Sequence, residues 1–175
     1  MKILSGLVNN DNNTMQHIKI RPIQKEDNAA VASVIRNALK EFGADKPGTV
    51  YYDETTDHLF ELFQKEKSAY VVAVEGNQIL GGAGIYPTSG LPADTCELVK
   101  IYLAPAARGK GIAGKLMKYC FDTAFKNGFT KMYIETMPEL ITAVKMYEKL
   151  GFTYIKQPMG NSGHTGCDVF MRKEL

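Results

Sequence analysis

The chain has 175 residues, 45% of them hydrophobic, enough for one ordinary domain with its own core. It carries 21 Lys and Arg against 19 Asp and Glu, a formal net charge of +2, which argues against a protein that grips nucleic acid mainly by charge. Charged residues make up 23% and aromatics 10%, so the chain as a whole is not disordered. No stretch approaches the roughly 20 apolar residues of a membrane span. The apolar run at 3–8 is too short for a signal peptide and runs into the Asn-rich stretch 9–13 instead of a cleavage site. Cys96, Cys120 and Cys167 contain no CxxC pair, which points to a reduced, cytoplasmic protein.

Residues 1–16 read as a flexible tail and 17–175 as one domain, because Asn9, Asn10, Asp11, Asn12 and Asn13 favour local turns. An alternating strand at 18–21 stops at Pro22. Val31, Val34, Ile35, Ala38, Leu39 and Phe42 then recur at helical spacing, with Glu26 or Asp27 suited to the first turn and Gly43 to the stop. Residues 43–57 lack periodicity and read as a loop, followed by a short helix at 57–65. The apolar runs 70–74 and 79–85 flank Gly76 and Asn77 as a hairpin. Gly81, Gly82 and Gly84 in its second arm mark a bulge or a close backbone approach.

A strand at 95–103 precedes the clearest helix, whose stripe is Ile112, Ala113, Leu116, Met117, Cys120, Phe121, Ala124 and Phe125, closed by Gly128. A strand at 131–135, a helix at 138–150 opened by Pro138, and strands at 152–155 and 167–171 complete the chain. The order β-α-α-β-β-β-α-β-α-β-β implies an α/β fold, a mixed twisted sheet with helices on both faces.

The densest chemistry lies at Arg108, Gly109, Lys110, Gly111, Ile112, Ala113, Gly114 and Lys115, between a strand and the best helix. Free backbone N–H groups and the positive end of the helix dipole make an anion site there. Gly109-x-Gly111-x-x-Gly114 matches the dinucleotide fingerprint, but five residues separate Leu103 from the first glycine and three strands come before it. Gly109-x-x-x-x-Gly114-Lys115 falls short of a P-loop, because Leu116 replaces the Ser or Thr that ligates magnesium. A plain glycine turn leaves the cluster of cations without a purpose.

Arg108-x-x-Gly111-x-Ala113 resembles the Q/R-x-x-G-x-G/A motif of the GNAT superfamily of N-acetyltransferases. Ala143-x-x-x-Tyr147-x-x-x-Gly151-Phe152 is similar to the family's A-x-x-x-Y-x-x-x-G-F helix end, and Ile20, Arg21, Pro22 and Ile23 resemble its first strand. The likeness spans about 18–175, with the motifs in order. Many members carry Asn three residues before the alanine, where this chain departs with Leu140.

The resemblance implies a single-domain GNAT-like fold and acetyl-CoA as co-substrate, with its pyrophosphate on residues 108–114 and its pantetheine arm along the strand at Ile101, Tyr102 and Leu103. It implies direct attack of a primary amine on the thioester through a tetrahedral intermediate, with an oxyanion donor near Ile101. Tyr147 is the expected general acid, against a core tyrosine on the stripe Leu140, Val144, Tyr147 and Leu150. Glu97 is the expected base, against a salt bridge with Lys100 or Arg172; a mid-strand carboxylate is costly unless paired or at a wet cleft. His164, Cys167 and Asp168 are spaced as a loop entering a strand, so neither a metal site nor a Cys167 nucleophile is expected. Two readings of that loop stand, a cover over the acceptor pocket with His164 touching substrate, or plain turn chemistry. Tyr51, Tyr52, Asp53 and Glu54 likewise line the acceptor side or form ordinary loop.

The acceptor expected is a small-molecule amine, with nucleic acid and membrane not expected and a homodimer left open. The rivals are a catalytically silent acyl-CoA-binding module, and an acetyltransferase acting on protein lysines or N-termini.

Overall fold

The computed structural model describes residues 18–175; the expected tail lies outside the described residues. The strands are β1 (Lys19–Pro22), β2 (Ala69–Glu75), β3 (Gln78–Tyr86), β4 (Thr95–Leu103), β5 (Lys131–Thr136), β6 (Thr153–Ile155) and β7 (Val169–Glu174). The helices are α1 (Asn28–Glu41), α2 (Leu59–Leu62), α3 (Ile112–Lys126) and α4 (Ile141–Lys149). The strands form one seven-stranded sheet in the order β1-β2-β3-β4-β5-β7-β6, antiparallel except where β4 meets β5. The element order is the one expected. Among the described residues, no helix is long and apolar enough to cross a membrane.

Alternation along the strands divides the core between the two faces of the sheet. Val71 and Ala73 of β2 and Cys96 and Leu98 of β4 pack with Ile112, Leu116, Met117, Cys120 and Ala124 of α3 and with Tyr147 of α4. Tyr70, Val72 and Val74 point the other way, onto Val31, Ile35 and Leu39 of α1 and Leu59 of α2. Burial of each large aliphatic on these stripes is worth roughly 1.5–3 kcal/mol. Helices on both faces follow directly from these two stripes.

Three local expectations shift. Neither Glu26 nor Asp27 falls in the first turn of α1; Asp27 holds the N-cap position without a side-chain cap, and its carboxylate instead accepts from the Gln24 amide at 2.7 Å and pairs with Arg21 at 2.6 and 2.9 Å, tying β1 to the helix start. The helix expected from Pro138 starts at Ile141, because the Leu140 amide closes a separate turn on the Met137 carbonyl. The short helix expected at 57–65 is a 3-10 turn, Glu54–His58, running into a single α turn.

The glycines of β3 make room for one side chain. A Cβ at Gly82 or Gly84 would lie 2.6 Å from the Tyr70 ring, which crosses β3 there. Its hydroxyl then donates to the Lys100 carbonyl on β4 at 2.9 Å. Both features expected at Gly81, Gly82 and Gly84 are present: the pairing register slips between Gly82 and Gly84, and backbone oxygens of Tyr102, Val71 and Ala69 come within 2.6 Å of where a Cβ would sit at the three glycines.

Candidate active site

β4 and β5 pair over only three positions, the last being Glu97 with Tyr133. Beyond Glu97, no strand among the described residues pairs with β4 on its β5 side, so Ile101, Tyr102 and Leu103 run along an open edge. β4 also bulges there. Gly84 pairs with Val99 and Gly82 with Tyr102, so three steps on β4 match two on β3. Lys100 takes up the extra residue in a left-handed conformation, φ 51°. The bulge turns the Lys100 side chain to the same face as Glu97, Val99 and Tyr102.

Glu97 is 3% exposed and sits where the strands part. It does not form the salt bridge weighed from the sequence. Lys100 pairs with Asp53, and Arg172 lies against Glu174. The partner of Glu97 is the Thr88 hydroxyl, which donates to one carboxylate oxygen. Burial pushes the Glu97 carboxyl up to about 7; Glu135 adds to the shift, while Thr88, His164 and Lys100 oppose it. Oxygens of Glu97 and Glu135 and a ring nitrogen of His164 lie within 4.8 Å of one another. Cys167 and Asp168 do not join them. Glu135 is itself held, accepting from Ser162 Oγ at 2.5 Å and from the Tyr133 hydroxyl at 2.8 Å.

Lys100, 7% exposed, places its ammonium 2.7 Å from Asp53 Oδ2. Burial draws the ammonium pKa down against the pull of Asp53. His164 Nε2 lies 3.2 Å from the same oxygen, and Thr55 donates to Oδ1 through its amide and its hydroxyl. Burial acts to raise the Asp53 carboxyl, but His164, the charge of Lys100 and Thr55 hold it far below the usual carboxylate range. The 157–166 loop is thereby tied across the sheet. The Met159 amide donates to the Tyr133 hydroxyl, the Asn161 amide to the Ser89 carbonyl and the Gly166 amide to the Gly48 carbonyl.

Two openings meet at Glu97, Val99, Lys100 and His164. A narrow slot of about 40 Å³ follows the gap between β4 and β5, reaching Tyr102, Thr136, Leu140 and Cys167. A cleft of about 470 Å³ lies on the other side, lined by Asp53, Lys65, Tyr86, Thr88 and Asn161 among others. Of the loop residues weighed for the acceptor side, Tyr52 and Asp53 line the cleft, whereas Tyr51 and Glu54 line neither opening.

The glycine-rich segment ahead of α3 forms a cradle. Gly109 and Gly111 both adopt φ 73°, a left-handed conformation that glycine takes without strain. The N–H groups of Gly109, Lys110, Gly111, Ile112, Ala113 and Gly114 have no acceptor among the described residues, and bonding resumes at Lys115. A Cβ at Gly109, Gly111 or Gly114 would meet nothing within 4 Å, so these glycines are not set by packing. Consecutive free donors at a helix start fit a phosphate-bearing ligand. Arg108, by contrast, turns its guanidinium onto Glu41 at 2.7 and 2.9 Å and over the Phe42 ring, while its Nε donates to the Leu103 carbonyl. It staples the cradle to α1 and β4, leaving Lys110 and Lys115 as the exposed cations beside the donors.

Tyr147 lies apart from Glu97. It is buried against Phe152, ring centroids 5.9 Å apart, and borders neither slot nor cleft. Burial and the neighbouring Cys120 raise its phenol pKa and keep it protonated. Tyr102, which lines the slot, has Tyr147 among the neighbours that raise its own phenol. The Cys167 thiol is pushed up to about 12 by burial and by Glu135 and Glu97, which leaves it no thiolate at neutral pH.

From the sequence, His164 and Asp53 are weighed for the acceptor side and Lys100 as a partner of Glu97; missed are Glu135 as a neighbour of Glu97 and the pairing of Lys100 with Asp53 that frames the site. The one available signal was a lysine in the middle of an apolar strand.

Residues 34–152 match the model of the acetyltransferase (GNAT) family. The chain is 40% identical over 158 residues to an uncharacterized N-acetyltransferase of Escherichia coli, YjgM, covering 89% of this chain and 94% of that one. An acetyltransferase from Streptococcus agalactiae superposes with a TM-score of 0.78 at 17% identity, over 91% of this chain and 99% of the other. The yncA protein of Salmonella typhimurium, solved with its cofactor acetyl-CoA, superposes with a TM-score of 0.70 at 24% identity, over 91% and 94% of the two chains. The chain belongs to the GNAT family of acetyltransferases.

Proposed function

We propose that this acetyltransferase moves the acetyl group of acetyl-CoA to the primary amine of a small molecule. The observation that carries the reading is the meeting of slot and cleft at Glu97, which gives a donor arm and an acceptor separate approaches to one carboxylate. The free N–H groups from Gly109 to Gly114, with Lys110 and Lys115, suit the pyrophosphate. The open edge at Ile101, Tyr102 and Leu103 suits the amide-bearing arm, and a backbone N–H there suits the carbonyl oxygen as charge builds on it.

Acetyl-CoA supplies a thioester carbonyl. The amine attacks it, the C–N bond forms and the C–S bond breaks. Glu97, directly or through a water, takes the proton that the ammonium must lose, and its pKa near 7 matches that task at neutral pH. On the strength of the helix-end motif, Tyr147 is taken as the donor of a proton to the departing thiolate, and the second proton that the nitrogen sheds on forming the amide restores the phenol. Its phenol stays protonated for that role.

Release of free coenzyme A, followed with a panel of small amines, tests both claims. The wild-type chain is expected to release it only when an amine is present. Tyr147→Phe is expected to lower kcat about 100-fold while acetyl-CoA affinity holds. Full kcat in the Phe variant removes Tyr147 from the chemistry, and no amine-dependent release by the wild type removes the function.

A further inference from the structure

Besides the phenols of Tyr52 and Tyr86, the cleft carries five acidic or basic side chains: Asp53, Lys65, Glu97, Lys100 and His164. Asp53 and Lys100 neutralise each other, and both oxygens of Asp53 are engaged, one by Lys100 and His164 and the other by Thr55. Two groups remain to meet a ligand. Glu97 is buried at the inner end, and Lys65 is exposed at the mouth. Lys65 has no carboxylate partner within ion-pair distance among the described residues. It is nevertheless held in place. Its ammonium lies 3.3 Å from the Pro87 carbonyl and 4.9 Å over the Tyr86 ring. Tyr86 is the strand partner of Glu97, so both project from the same face of the sheet.

We infer that the acceptor is a zwitterionic small amine, its amino group against Glu97 and a carboxylate against Lys65. The inference rests on the acetyltransferase reading above for the fate of the amine, and on the charges of the cleft for the rest. A diamine fits poorly, because its second ammonium would reach the mouth beside Lys65 with no free carboxylate lining the way. A neutral amine leaves the Lys65 charge unused. The Thr55, Thr88, Ser89 and Ser162 hydroxyls and the Asn161 amide lining the cleft add neutral hydrogen bonds that do not select between charges.

Calorimetric binding in the presence of coenzyme A separates these cases. The probes are the common L-amino acids, their carboxamides, and putrescine as the dication. At least one amino acid is expected to bind about tenfold tighter than its carboxamide, and putrescine to bind weakest. Lys65→Gln is expected to erase that difference by weakening the amino acid alone, and Lys65→Arg to restore it. Equal affinity for acid and amide, preference for putrescine, an equal loss for both probes in Lys65→Gln, or no binding of any probe overturns the inference. Lys65-dependent selection of the acid with no acetyl transfer to any amine upholds the charge selectivity and overturns the acetyltransferase reading instead.

Discussion

Glu97→Gln is expected to lower kcat/KM for acetyl transfer by roughly 100-fold or more, and to remove the acid limb of its pH profile. In the wild type that limb falls at about 7, where burial places the Glu97 carboxyl. The base must be ionised, so activity rises as pH climbs through this value. The ammonium of the acceptor titrates higher and adds its own dependence, which persists in the Gln variant. The loss of one limb with retention of the other assigns the lower one to Glu97. Stability should move the opposite way. A carboxyl raised from 4.5 to about 7 contributes stability that is complete below about 4.5 and lost as pH rises through 7. Gln carries no such charge, so at about pH 8 the variant is expected to be more stable than the wild type, by roughly 1–3 kcal/mol. Denaturant titrations at both pH values check this. An unchanged pH profile in the variant contradicts the assignment of Glu97 as base.

Asp53→Ala is expected to cost about 3 kcal/mol of stability, the low end for breaking a buried ion pair because the Asp53 side chain is 21% exposed. The substitution strands the Lys100 ammonium, whose side chain is 4% exposed and whose other hydrogen-bond partner is Thr56 at 3.3 Å. It also frees His164, and with it one tie of the 157–166 loop. The wild-type carboxyl sits far below its ordinary 3.8. Its contribution is therefore full above about pH 4 and is lost as pH falls toward the folded-state value. The difference in unfolding free energy between wild type and variant should accordingly narrow in acid. A constant difference from neutral pH down to about pH 2 would mean that the pair is not what the substitution removes. Asp53→Ala with Lys100→Met tests the same point from the other side, since removing both charges should recover much of the loss.

The order of strands and helices was legible because each large element repeats its apolar residues at its own period. The α3 stripe is the clearest case, except that Phe125, read as its last member, is exposed. The run of free backbone donors ahead of α3 was legible too, since glycines at 109, 111 and 114 before a helix have few other physical uses. The direction of the Arg108 side chain was not. Nothing local in Arg108 says that it will reach Glu41, 67 residues away, rather than a phosphate. The frame of the site was hidden for a related reason. In a regular strand Glu97 and Lys100 point to opposite faces, and only the left-handed turn at Lys100 brings them together. A glycine would have announced that turn; a lysine does not. The contact between Asp53 and His164 spans 111 residues and joins two loops without periodicity, so it appears only once the sheet has placed Gly48 beside Gly166. Tyr147 was legible as a helix residue of the expected pattern, but its distance from both openings is a matter of packing.

The most direct measurement is a calorimetric titration of the chain with acetyl-CoA, with NADH as the control ligand. The expected result is saturable binding of acetyl-CoA alone, and a gain of about 2.7 kcal/mol in stability at ligand near 100 times its Kd. No heat from acetyl-CoA together with clear binding of NADH would contradict the account, and would make the cradle ahead of α3 a dinucleotide site.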